Sequence, residues 1–200
     1  MEHIYPFIIA FTLVFVSELG DKTQILVLSF SSKLKPYTIL IGVALGSLLS
    51  HGIAIAFGSF LGNIQNDFIH NILEILTYIS FLIFGLITLF PKNNKEKTEN
   101  KNTKINKYKL NYILLIASTI AIGELGDKTF LASLGLGIQY PSYKLFLICG
   151  AVLGMVISDL IAILLGKLLS KKLPENLLEK FSGILFLIFG FIGFIKMFIN

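Results

Sequence analysis

A chain of 200 residues with 54% hydrophobic side chains, 14% charged ones and a mean hydropathy of +0.80 is too apolar for a soluble globular domain, where about a quarter of residues are charged. A membrane protein is expected, and at about 20 apolar residues per spanning helix six helices leave only short loops and no separate soluble domain. The net charge of +5 rests on 17 basic residues, every one a lysine; without arginine forks, nucleic acid is not an expected partner.

The single cysteine, Cys149, allows neither an internal disulfide nor a thiolate metal site. The first apolar run has no basic stretch before it and contains acidic residues, so a cleaved signal peptide is not expected. Apolar stretches cover 4–30, 37–61, 72–90, 112–136, 145–169 and 177–199, each long enough to span. Between the third and fourth lies 91–111, a Lys- and Asn-rich linker with nothing apolar enough to fold alone. Asn71 and Asn176, each followed three residues later by a glutamate (Glu74 and Glu179), read as helix N-caps with an acidic partner.

The second half of the chain repeats the first. Glu18-Leu19-Gly20-Asp21-Lys22-Thr23 recurs unchanged as Glu124-Leu125-Gly126-Asp127-Lys128-Thr129, at an offset of 106 residues. Small residues at every fourth position of the second span (Gly42, Gly46, Ser50, Ala54, Gly58) recur in the fifth (Gly150, Gly154, Ser158, Ala162, Gly166), a stripe that lets helices approach closely. The organisation expected is a first three-helix repeat at 1–90, a linker at 91–111 and a second repeat at 112–200. Three spans is an odd number, so the second copy enters the membrane from the opposite side. The fold class is therefore an all-α polytopic membrane protein with six transmembrane helices in two inverted repeats, an architecture of secondary transporters with the site near the midplane.

Charged residues at mid-membrane are costly, about 2.5 to 3.5 kcal/mol each even on insertion scales. Glu18, Asp21, Lys22, Glu124, Asp127, Lys128 and Asp159 are all placed there, with His51 at the position in the second span that Asp159 takes in the fifth. Glu18 and Asp21 share a helix face, as do Glu124 and Asp127, and each pair can aim oxygens at one point. Gly20 and Gly126 weaken the helix between them, and Thr23 and Thr129 add hydroxyls. Inert pairing of Glu18 with Lys22 and of Glu124 with Lys128 is the plain structural alternative, but it leaves Asp21, Asp127 and Asp159 uncompensated. A divalent cation or bound protons would relieve that excess.

The expected metal ligands are Glu18, Asp21, Glu124 and Asp127, with Thr23, Thr129, Lys22, Lys128, Asp159, His51, Ser50 and Ser158 in supporting positions. Asp159 is expected to matter more than His51, because only its loss removes a compensating charge. Oxygen ligands with at most one histidine suit Ca2+, Mn2+ or Mg2+, and composition does not choose among them. The ion is cargo, and no cofactor is expected.

The doubled E-x-G-D-[KR]-[ST] motif, the six spans and the charged central linker resemble the Ca2+/Mn2+ cation antiporter family of bacterial, thylakoid and Golgi membranes. The resemblance implies transport of Mn2+ or Ca2+ in exchange for protons, with the motif acids as ligands. It also implies a bacterial-type member, without the targeting extensions of organellar relatives, in the plasma membrane and with Mn2+ efflux favoured. Two alternatives stand beside it. A Na+/H+ or other monovalent exchanger, or a channel, would also use buried carboxylates, although four of them exceed what one Na+ needs. An intramembrane aspartyl protease needs G-x-G-D, whereas Gly123 stands one residue too far from Gly126-Asp127.

Orientation follows from the lysines. Thirteen fall on the side of the 91–111 linker and two on the other, so by the positive-inside rule the linker is cytoplasmic and both termini face outward. A single cysteine introduced by Asn100→Cys in a Cys149→Ala background is therefore expected to resist an impermeant thiol reagent in intact cells and to react after permeabilisation. Labelling without permeabilisation would reverse the topology.

Overall fold

The computed structural model describes residues 4–19, 21–31, 34–64, 67–89, 109–169 and 175–199. Most of the 91–111 linker, residue Gly20 and the side chain of Lys22 lie outside the described residues. The described chain is helical and contains no strand: α1 (Ile4–Glu18), α2 (Lys22–Ser31), α3 (Pro36–Gly62), α4 (Asp67–Leu89), α5 (Lys109–Glu124), α6 (Lys128–Gln139), α7 (Lys144–Leu169) and α8 (Glu175–Ile199), with a 3-10 turn at Pro141–Tyr143 before α7.

The first and fourth apolar stretches are each two helices, not one. Both break within the repeated motif: α1 stops at Glu18 and α2 starts at Lys22, while α5 stops at Glu124 and α6 starts at Lys128. The breaks are built alike, with the Asp21 amide donating to the Glu18 carbonyl at 3.2 Å and the Asp127 amide to the Glu124 carbonyl at 3.1 Å. Gly126 adopts φ +81, a left-handed conformation that ends helices at little steric cost. Asp127 then takes an extended backbone (φ −75, ψ 170) at the N-cap of α6.

Asn71 and Asn176 are not caps. Helix α4 begins at Asp67 and α8 at Glu175, so both asparagines lie inside helices.

The outer surface is apolar, unlike that of a soluble protein. Along α3, Ile41, Leu45, Leu48, Ile53, Phe57 and Phe60 are exposed, while Gly46, Ser47, Ser50, His51 and Ser59 are buried. Helix α3 and the segment Pro141–Leu164 are long and apolar enough to cross a membrane, and shorter apolar runs lie at Ile4–Glu18, Asn71–Leu86, Tyr112–Glu124 and Gly183–Ile195. The apolar core beneath joins Leu13, Val14, Ile39, Ile116, Ile120, Leu147 and Met155 with Phe81 and Phe186.

The small residues set how close the helices come. Helix α3 lays Gly42 and Gly46 against α5 and Gly58 against α6, and α7 lays Gly150 and Gly154 against α1. A Cβ on Gly46 would stand 2.7 Å from the Ala117 carbonyl oxygen, one on Gly137 2.5 Å from that of Ile55, and one on Gly154 2.7 Å from that of Phe11. These are backbone atoms and cannot swing aside, so overpacking here costs at least the usual 1 to 3 kcal/mol or so. Gly137→Leu and Gly154→Leu should lower the midpoint of thermal aggregation of detergent-solubilised protein by several degrees, whereas Gly123→Ala, with nothing within 4 Å of an added Cβ, should leave it unchanged. Equal behaviour of the three variants would show that the close approach does not hold the bundle.

Candidate metal centre

The helix breaks place the two motif glutamates at helix ends and turn both inward. Glu18 and Glu124 are each 1% exposed, one supplied by each half of the chain. His51 of α3 is fully buried beside them. Each of the three offers one ligand atom, and these atoms lie within 4.8 Å of one another. An ion held at about 2.1 to 2.5 Å from each ligand spreads its ligands roughly 3 to 5 Å apart, so the three can grip one ion.

Each glutamate is held the same way. Thr23 Oγ1 donates to Glu18 Oε2 at 3.0 Å and Thr129 Oγ1 to Glu124 Oε2 at 2.9 Å. The threonine that follows each break thus reaches back to the carboxylate before it, fixing one oxygen. Among the described residues, Glu18 Oε1, His51 Nε2 and Asp159 Oδ2 have no hydrogen-bond partner. Leaving such groups buried and unbonded costs about 1 to 3 kcal/mol each, more where they are charged, and a cation between Glu18 and His51 would remove much of that cost for those two.

Both motif aspartates belong to the electrostatic surroundings of this cluster, Asp21 acting on Glu18 and Glu124 and Asp127 on Glu124. Asp21 faces the second motif copy, its Oδ1 3.8 Å from Lys128 Nζ, with both side chains about four-fifths buried at 19% and 18% exposure. Lys128 therefore pairs across the two halves. Asp127 is half-buried at the head of α6. Asp159, 1% exposed, lies in the electrostatic field of Asp21, and Glu18 in that of Glu124, Asp21 and Asp159, opposed by Lys128. Ser50 bonds within its own helix, to the Gly46 carbonyl at 3.1 Å, and Ser158 accepts from Gln24 Nε2 at 2.7 Å.

Two residues here were not singled out in the sequence. Gln24 ties α2 to α7 through Ser158, and Ser133 Oγ lies 3.0 Å from His51 Nδ1. Neither is repeated: the positions 106 residues away are Phe130 and Val27, so a search for duplicated residues passes over both. An isolated polar residue inside an apolar span was the available signal.

A family model described as "Divalent cation/proton antiporter GDT1" matches residues 6–96 and 112–200. Over 192 residues, 94% of this chain and 90% of the relative, the sequence is 32% identical to a Vibrio cholerae protein named "Putative manganese exporter". It is 25% identical over 216 residues to GDT1-like protein 2, chloroplastic, of Oryza sativa subsp. japonica, covering 96% of this chain and 61% of that one. It is 37% identical over 86 residues to the GDT1-like protein C186.05c of Schizosaccharomyces pombe, covering 42% and 31% of the two chains. No solved structure matches. The family is one of membrane transporters, which sets the protease alternative aside, and the chain belongs to the divalent cation/proton antiporters.

Proposed function

We propose that the protein exchanges Mn2+, or Ca2+, for protons across the plasma membrane by alternating access around a midplane site built on Glu18 and Glu124. Asp21 and Asp127 complete the ligand set or its approaches. The observation that carries the reading is the meeting of one buried glutamate from each half, each steadied by its own threonine. Metal and protons then bind the same oxygens, so they exclude each other.

The architecture proposed is six spans in two inverted repeats, 1–90 and 112–200, with α1 and α2 as one broken span and α5 and α6 as another. The 91–111 linker lies in the cytoplasm and both termini outside. Three features support it. The family model matches each half. The contacts of α3 and α7 exchange when the halves are swapped, α1 packing on α7 as α5 packs on α3, and α2 on α7 as α6 on α3. Helices α4 and α8, the equivalents of each other, also pack together. Broken helices with their ends at a midplane site are what transporters of this kind use to bind ions.

Glu18→Gln and Glu124→Gln are each expected to lower Mn2+ flux into proteoliposomes at least tenfold while inserting normally, and Asp21→Asn and Asp127→Asn to lower it severely. Normal flux in any two of the four would make the duplication structural only. A second expectation concerns pH. Protons compete for the carboxylates, so apparent metal affinity falls as pH drops, and an imposed proton gradient drives metal uphill. With voltage clamped by an ionophore and Mn2+ and lumenal pH followed together, metal movement without proton counterflow would leave a uniporter or channel, and Na+ movement in its place a monovalent exchanger.

A further inference from the structure

We infer that His51 is a direct ligand of the transported ion, and that its imidazole nitrogen makes the site select first-row transition ions such as Mn2+ and Fe2+ over Ca2+ and Mg2+. The inference rests on the cation site proposed above and adds the donor that decides its selectivity.

Three observations carry it. His51 is fully buried, out of contact with bulk solvent. One ring nitrogen, Nδ1, is already engaged by Ser133 Oγ at 3.0 Å, while Nε2 has no partner among the described residues. The ring stands in the same 4.8 Å cluster as the oxygens of Glu18 and Glu124. A histidine whose Nδ1–H donates to a neighbour presents the Nε2 lone pair outward, the arrangement by which ligating imidazoles are fixed in tautomer and orientation. Ser133, on α6, is placed to do this for His51, on α3.

The chemical consequence is discrimination. Ca2+ and Mg2+ take oxygen ligands, with Ca2+ seeking six to eight and Mg2+ keeping its waters. Transition ions accept imidazole readily, and with rising affinity from Mn2+ to Fe2+. Two carboxylates alone would not separate Mn2+ from Ca2+, whereas two carboxylates and one imidazole do. The internal repeat sharpens the point: the position equivalent to His51 is Asp159 and the one equivalent to Ser133 is Val27, so the nitrogen donor from the first half and its orienting hydroxyl from the second form a pair that the repeat does not duplicate. The geometry therefore ranks His51 above Asp159, the reverse of the order that charge alone suggests.

Pulsed electron paramagnetic resonance of Mn2+ bound to the purified full chain in nanodiscs tests this. The expected spectrum shows hyperfine coupling to 14N that changes to 15N on histidine-selective labelling, disappears in His51→Gln and persists in a His3→Gln, His70→Gln double variant, which leaves the buried ring untouched. In transport competition, His51→Asp should lose Mn2+ preference over Ca2+ by about tenfold or more while still moving Ca2+. Bound Mn2+ that depends on Glu18 and Glu124 but shows no nitrogen coupling would overturn this inference and leave the exchange reading intact. Mn2+ binding that is absent, or indifferent to Glu18→Gln and Glu124→Gln, would overturn both.

Discussion

Two carboxylates brought together inside an apolar bundle are the constraint on which this structure turns. Two like charges about 4 Å apart repel by roughly 4 kcal/mol even at an effective dielectric constant near 20, and desolvation adds to that. Glu18 and Glu124 are placed in this situation by the fold itself. Their threonines satisfy one oxygen each, and the Lys128 to Asp21 pair brings a cation across from the other motif copy. These devices reduce the cost without cancelling it. What remains is an unbalanced negative potential, on which the proposed cation site rests.

The helix breaks serve the same end. In a continuous helix, a carboxylate at Glu18 would compete with the packing of the neighbouring helices along its whole face. Ending α1 at Glu18 and α5 at Glu124 puts each side chain at a terminus, where the chain can turn and the next threonine can reach back. Close approach of α3 to α5 and α6, and of α7 to α1, over small residues then brings the two ends near enough to share an ion. Bulkier residues along those stripes would part the helices and separate the glutamates, so packing and site are one design.

Most of this was legible in the sequence because the repeat doubled every signal. Six identical residues, recurring once, marked the site, and the four-residue spacing of glycines and serines marked the interfaces. The helix breaks were legible only as a weakness at Gly20 and Gly126, since hydropathy averaged over 4–30 and 112–136 hides a few irregular residues within a spanning stretch. The pairing of Asp21 with Lys128 was not legible: a continuous helix puts Glu18 and Asp21 on one face, and the break between Glu18 and Lys22 alters that periodicity. His51 stood out only as the counterpart of Asp159, and Ser133 had no repeated signal. Their meeting depends on the packing of α3 against α6, which no local pattern encodes.

The pseudo-symmetry and its violation have different physical roles. In the proposed site the matched parts, two glutamates with two threonines, are balanced in either of two ways: by one divalent ion against both carboxylates, or by a proton on each. A neutral site crosses the low-dielectric interior at small electrostatic cost, and the empty ionised site does not. In the proposed cycle this makes exchange the path of least resistance, because each face must hand over an ion or protons before the site can turn. The unmatched parts cannot serve that balance, since a neutral imidazole adds no charge where Asp159 would. They act on identity instead of charge, which is why the departure from symmetry falls at the residue beside the glutamates rather than at the glutamates themselves.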